Sequence, residues 1–169
     1  MLIILSGLPG TGKTTIAREL ARRIAAVHVR IDSIEQAFRD SGTLRGPVDD
    51  AGYRAGYAVA EDNLRLGRRV IADSVNPLPL TRDAWVEVAV RAGVRAIEVG
   101  IICSGTAEHR RRVEERPQDI TGLKLPTWAE VIARDYHPWN REHIVLDTAG
   151  RSPEESVAEL LRALPAQAG

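Results

Sequence analysis

Short apolar runs alternate along this chain with stretches of helical periodicity. Residues 2–5 (Leu-Ile-Ile-Leu) are uninterrupted hydrocarbon and predict a first strand buried on both faces. Over residues 13–26, Ile16, Leu20 and Ile24 recur four apart with arginines opposite, the pattern of an amphipathic helix. Residues 27–31 predict a second strand. Ser33-Ile34-Glu35-Gln36 reads as a capping box opening a short helix to about Arg39. Residues 41–47 read as a loop and 49–66 as a helix stopped by Gly67. A strand is predicted at 69–72, a helix at 81–92, a strand at 95–103 and a very basic helix at 106–116. After a loop at 117–126, Thr127-Trp128-Ala129-Glu130 is a second capping box, with a helix to about Tyr136. Residues 143–147 predict the last strand. Ser152-Pro153-Glu154-Glu155 caps the last helix, and 165–169 read as a frayed tail. Five strands interleaved with helices predict a parallel sheet covered on both faces.

Composition narrows this picture. A chain of 169 residues suits one domain, 1–169, with a small helical lid at about 104–126. Lysine plus arginine and aspartate plus glutamate balance at 23 each, which argues against a broadly basic nucleic-acid surface. The single cysteine, Cys103, ends an apolar strand and reads as buried filler. No apolar run approaches the ~20 residues of a membrane span, and no basic leader precedes the first strand, so a cytoplasmic location is expected. Only Lys13 and Lys124 are lysines, which makes Lys13 conspicuous in an arginine-rich chain.

Lys13 falls in Gly7-Leu8-Pro9-Gly10-Thr11-Gly12-Lys13-Thr14, which fits G-x-x-x-x-G-K-[ST] between a strand and a helix. Glycines let successive N–H groups turn inward toward phosphate oxygens, and the helix start adds its positive dipole end. Lys13 reaches the β- and γ-phosphates in such a loop, and Thr14 supplies a hydroxyl to Mg²⁺. Gly7, Pro9, Gly10, Thr11, Gly12 and Thr15 complete the expected nucleotide contacts, with ATP and Mg²⁺ as the expected ligands.

Two strands end in aspartate. Asp32 follows the second and Asp73 the third, so both project from the carboxyl edge beside the phosphate loop. Transfer to an alcohol needs one carboxylate to take the hydroxyl proton and another group to hold the magnesium shell. Asp32 is assigned to the hydroxyl, with Ser33 as the cap. Asp73 is assigned to the metal, with the acceptor as its alternative. Asn76 suits either substrate or the turn before Pro77. The helix at 106–116 carries Arg112 and Arg116 four apart, a spacing that places both on one face to neutralise phosphate charge. Thr148, in the loop after the last strand, is expected beside the base of the nucleotide. Among the aromatics, Trp85 reads as core, and Tyr53 and Tyr57 suit either core or an acceptor wall.

With these residues in hand, the chain resembles the small P-loop kinases that include chloramphenicol phosphotransferase, zeta toxins and the polynucleotide 5′-kinase domain. The resemblance rests on residues 7–14, on Asp32-Ser33, on residues 70–77 and on Arg112-x-x-x-Arg116. It implies an α/β P-loop fold, a three-layer α/β/α with a five-stranded parallel sheet in the order 2-3-1-4-5. It also implies Mg-ATP as donor and Asp32 as general base. Polynucleotide kinases place an arginine three residues after that aspartate, and this chain has Glu35, which would repel an acceptor phosphate. A small-molecule hydroxyl is therefore the expected acceptor, with a nucleotide or polynucleotide 5′-hydroxyl as the alternative. A non-kinase ATPase or switch is the other rival. The chain lacks the N-K-x-D segment that reads guanine in GTPases.

Overall fold

Five parallel strands form one sheet in the order β2-β3-β1-β4-β5. They are β1 (Leu2–Ser6), β2 (Val27–Arg30), β3 (Val70–Asp73), β4 (Ala96–Ile102) and β5 (Ile144–Asp147). The structure is a computed structural model and describes residues 1–42 and 46–165. The middle of the expected 41–47 loop and most of the expected tail lie outside the described residues.

The order follows from what each strand can bury. Central β1 is buried along its whole length and alternates between two cores. Ile3 and Leu5 face α1 (Lys13–Ile24) and α7 (Pro153–Ala163), meeting Ile16, Leu20, Val157 and Leu160. Leu2 and Ile4 face α3 (Ala51–Arg65) and α4 (Pro79–Arg91), meeting Ala60, Leu64, Trp85 and Val88. Trp85 is fully buried, as its pattern predicts. Cys103 is buried too. Helices on both faces leave the carboxyl edge open. The register sets Leu5 opposite Asp73 and Arg30 opposite Asp73, so the loop after β1, the residues after β2 and the end of β3 share that edge.

Three local expectations change. Helix α2 (Ile31–Asp40) begins two residues before Ser33, with extended Arg30 at the cap and no side-chain cap. The Ser33 capping box is therefore not formed, and Asp32 sits inside the first helical turn, where its charge complements the dipole. Burial of Ile31 decides this, because starting the helix there packs it against Gly56 of α3. Helix α5 (Thr106–Glu115) ends before Arg116, which is extended, so the one-face argument holds for Arg112 but not for Arg116. Helix α6 (Trp128–Ile132) stops well short of Tyr136. The capping boxes at Thr127 and Ser152 are both formed.

Gly7 closes β1 with φ +148°, and a Cβ there would lie 2.2 Å from the Ile101 carbonyl oxygen on the neighbouring strand. Backbone cannot yield as a flexible side chain does. Gly7→Ala is expected to cost roughly 2–4 kcal/mol, read as a lower urea midpoint at unchanged m-value.

Candidate active site

The chain between β1 and α1 turns on three positive-φ glycines, Gly7, Gly10 and Gly12. Gly12 is itself the left-handed cap of α1. Lys13 is buried, and its Nζ donates to the Leu8 carbonyl at 2.9 Å. Thr11 braces the same carbonyl with its hydroxyl at 2.9 Å. Burial lowers the Lys13 pKa to about 8, although Asp73 and Asp32 pull the other way. Two loop amides are already paired, Gly7 N–H to Val75 O at 3.1 Å and Thr11 N–H to Leu8 O at 3.4 Å. The desolvated ammonium stands beside the start of α1, where helix-end N–H groups favour an anion.

Asp73 is almost fully buried beside it. Burial pushes its carboxyl up, but His28, Lys13 and Thr14 together outweigh that and hold it below the usual carboxylate range. His28 Nε2 lies 3.0 Å from Asp73 Oδ2, and the Thr14 hydroxyl is hydrogen-bonded to the same side chain. The sequence reading missed His28, which reaches Asp73 only because β2 and β3 are neighbours. Asn76 is fully buried at φ +47°, its Nδ2 donates to Leu5 O at 3.0 Å, and it does not line the cleft.

Asp32 faces the same cleft with its side chain half exposed. Arg30 sits 3.8 Å from it and makes a two-pronged contact with Asp119, at 2.7 and 3.1 Å. Arg18 joins Asp119 at 2.7 Å, and these partners hold the Asp119 carboxyl down to about 2. Nothing in the local pattern signals this cluster, because its members stand 89 and 101 residues apart. Glu35 also lines the cleft, and burial raises its pKa despite the Arg39 ion pair at 3.0 Å. The tyrosines divide. Tyr53 lines the cleft and is pushed up to about 12 by burial. Tyr57 stands edge-on to Trp85 at 4.6 Å and does not line it.

Arg112 is held at the far end, donating to Glu108 at 2.6 Å and to Thr148 Oγ1 and O at 2.8 and 2.9 Å. Arg116 lines the cleft closer to Asp32 and Arg30. Burial lowers its pKa, and its Nε is buried with no hydrogen-bond partner among the described residues. Pro9, Gly10, Gly12, Lys13, Thr14, Thr15, Asp32, Asp73, Arg112, Arg116 and Thr148 all line one cleft of about 920 Å³. Gly7 and Thr11 are not among its walls and act from behind it. Ten lysine and arginine side chains line the cleft against five carboxylates. A chain with no net charge has thus concentrated positive charge where phosphate would bind.

A family model described as an AAA domain matches residues 2–138. The chain belongs to this AAA domain family. Its relatives include a shikimate kinase of Frankia casuarinae, 31% identical over 180 residues that cover 96% of this chain and 71% of that protein. Among solved structures, Chaetomium thermophilum Kti12 in complex with ADP-AlF3 superposes with a TM-score of 0.68 at 20% identity, covering 98% and 100% of the two chains. Mycobacterium tuberculosis APS kinase in complex with AMPPNP and APS gives 0.62 at 18% identity, covering 95% of each. The shared fold is that of P-loop kinases, as the sheet order already indicates.

The residues of this AAA domain protein fit magnesium. Thr14 and Asp73 offer two hard oxygen donors side by side. Among the described residues no cluster of three metal-binding side chains exists. A cation that keeps its waters and takes substrate phosphate oxygens suits so sparse a donor set. No helix among the described residues is long and apolar enough to cross a membrane.

Lys13 supplies a pH prediction. Its folded pKa of about 8 lies below the ordinary 10.5, so between those values the unfolded chain holds the extra proton. Nucleotide-free wild type should therefore gain stability across that window relative to Lys13→Met, by on the order of 3 kcal/mol in total. At pH 7 the variant should be the more stable of the two. Urea titrations of both proteins from pH 7 to pH 10.5 check the sign.

Proposed function

We propose that this protein is an ATP- and magnesium-dependent kinase that phosphorylates a hydroxyl of a small molecule. The observation that carries the reading is that one cleft joins the phosphate loop to Asp32 and continues past it to Glu35, Tyr53, Thr81 and Arg134. That extra room, walled by polar groups, is what an acceptor needs and a simple nucleotide switch does not. The kinases of shikimate and APS among the similar proteins support the same class of reaction.

In this reading the amides of Gly10 and of Gly12 to Thr15, with the Lys13 ammonium, hold the triphosphate, while Gly7, Pro9 and Thr11 shape the loop around them. Thr14 and Asp73 hold Mg²⁺, which supplies charge neutralisation at the phosphate oxygens. Asp32 orients the acceptor hydroxyl and takes its proton as that oxygen forms a bond to the γ-phosphorus. The bond to the β,γ-bridging oxygen breaks, and ADP leaves with that electron pair. Lys13 and Arg116 stabilise the charge spread over the transferring group, and Arg112 with Thr148 lies toward the base. The single domain carries its lid at about 104–126. Pro117, Asp119, Leu123 and Pro126 line the cleft from that segment and would exclude water from it. Glu35 facing the cleft disfavours an acceptor with a phosphate beside the reacting hydroxyl.

Two variants separate binding from chemistry. Asp32→Asn should bind Mg-ATP within about threefold of wild type yet lose transfer by about 10²-fold or more. Lys13→Ala should lose both. The assay incubates each protein with Mg-ATP and a small-molecule extract, with a 5′-hydroxyl oligonucleotide in a parallel arm, and reads products by mass spectrometry. A small molecule gaining one phosphate with wild type alone is the expected result. Phosphorylation of the oligonucleotide alone would replace the acceptor class. Equal ADP release by wild type and Asp32→Asn, with no phosphorylated product, would overturn the kinase reading.

A further inference from the structure

We infer that helix α5 sets the shape of the phosphate loop from outside, with His109 as the positioning residue. A loop that binds phosphate must present its N–H groups inward. Across a trans peptide the carbonyl and the next N–H point to opposite sides. Holding a loop carbonyl outward therefore turns the following amide inward.

Two carbonyls of the loop are held in this way. His109 Nε2 lies 2.8 Å from the Pro9 carbonyl oxygen, and both residues are buried. A carbonyl only accepts, so Nε2 carries the proton and donates it. That contact fixes the Pro9–Gly10 peptide and aims the Gly10 N–H at the cleft. Thr148 Oγ1 lies 2.9 Å from the Thr11 carbonyl and 3.1 Å from that of Ile102. It does the same for the Thr11–Gly12 peptide. Thr148 is in turn gripped by Arg112, three residues after His109 on the same helix. One helix thus governs two of the amides that make the anion site.

Packing leaves the loop little freedom to turn away. A Cβ on Gly10 would lie 2.4 Å from Val113 and 3.2 Å from the His109 ring. The His109 ring also stands edge-on to Trp128 of α6, with centroids 5.1 Å apart. His109 touches no part of the cleft itself. Its contribution is to fix the loop before nucleotide arrives, so that binding loses less conformational entropy.

The inference rests on the nucleotide-binding half of the proposed function, but its first test needs no nucleotide. Backbone order parameters of Gly10 and Gly12 are measured by ¹⁵N relaxation in the nucleotide-free protein. Wild type should show values near about 0.85 for both, with Gly10 falling below about 0.6 in His109→Leu. His109→Gln, whose amide offers an N–H at similar reach, should restore it. Thr148→Val should loosen Gly12 and spare Gly10, and it carries the test if His109→Leu does not fold. MgADP titrated calorimetrically should bind His109→Leu about tenfold more weakly than wild type, with most of the loss recovered in His109→Gln. Unchanged Gly10 order in folded His109→Leu would overturn the inference. So would a glutamine variant as loose as the leucine one, because packing rather than the hydrogen bond would then be responsible. Failure of wild type to bind MgADP would overturn the nucleotide reading alone, and the order parameters would still decide the brace.

Discussion

Lys13 holds a charge out of water at the carboxyl edge of the sheet. Its ammonium donates only to the Leu8 carbonyl among the described residues, and Asp73 and Asp32 act on it from a distance. The cost appears in its lowered pKa, which the two aspartates offset only in part. Much else follows from that constraint. The loop must curve around the ammonium, so glycines take left-handed conformations. The strand order must bring both aspartates near it without letting either neutralise it. Helix α5 must stand against the loop's outer side, and the glycine at position 10 leaves room for it.

The arginines are sorted by the same logic. On the outer faces they are paired within one helical turn, as in Arg23–Glu19, Arg65–Glu61 and Arg110–Glu114. Such exposed pairs contribute little individually. In the cleft the balance is different. Arg30 and Arg18 share Asp119, which ties the segment after α5 to β2 and α1. Arg116 has no carboxylate in contact among the described residues, and its Nε is unsatisfied. Buried Lys13 and half-buried Arg116 thus both keep incomplete partners in the cleft. The polar wall that continues beyond Asp32 to Glu35, Tyr53, Thr81 and Arg134 is what supports the proposal of a transfer site there.

The relatives fit this view at the level that their likeness permits. An AAA domain match over residues 2–138 covers the phosphate loop, Asp32, Asp73 and the arginine helix. It stops before Thr148, which closes the site from β5 and holds the Thr11 carbonyl. The turn after β5 and the start of α7, which bring Thr148, Arg151, Pro153 and Ser156 to the cleft, therefore belong to the site as well.

The sequence by itself determined the element order, the parallel sheet and the phosphate loop. All three are local: apolar runs, capping residues and a glycine spacing act within a few residues of one another. It also placed Asp32 and Asp73 at one edge, because parallel strands carry their ends to the same side. Tertiary structure alone decided what those residues meet. Helix α2 starts at Ile31 rather than at the Ser33 cap because Ile31 is buried against α3, and burial of a large side chain outweighs one capping hydrogen bond. His28 found Asp73, Arg30 found Asp119 and His109 found Pro9 across separations of 45, 89 and 100 residues. A side chain's partner at such range is fixed by strand order and helix packing. Those depend on the summed fit of two cores, which no window along the chain contains.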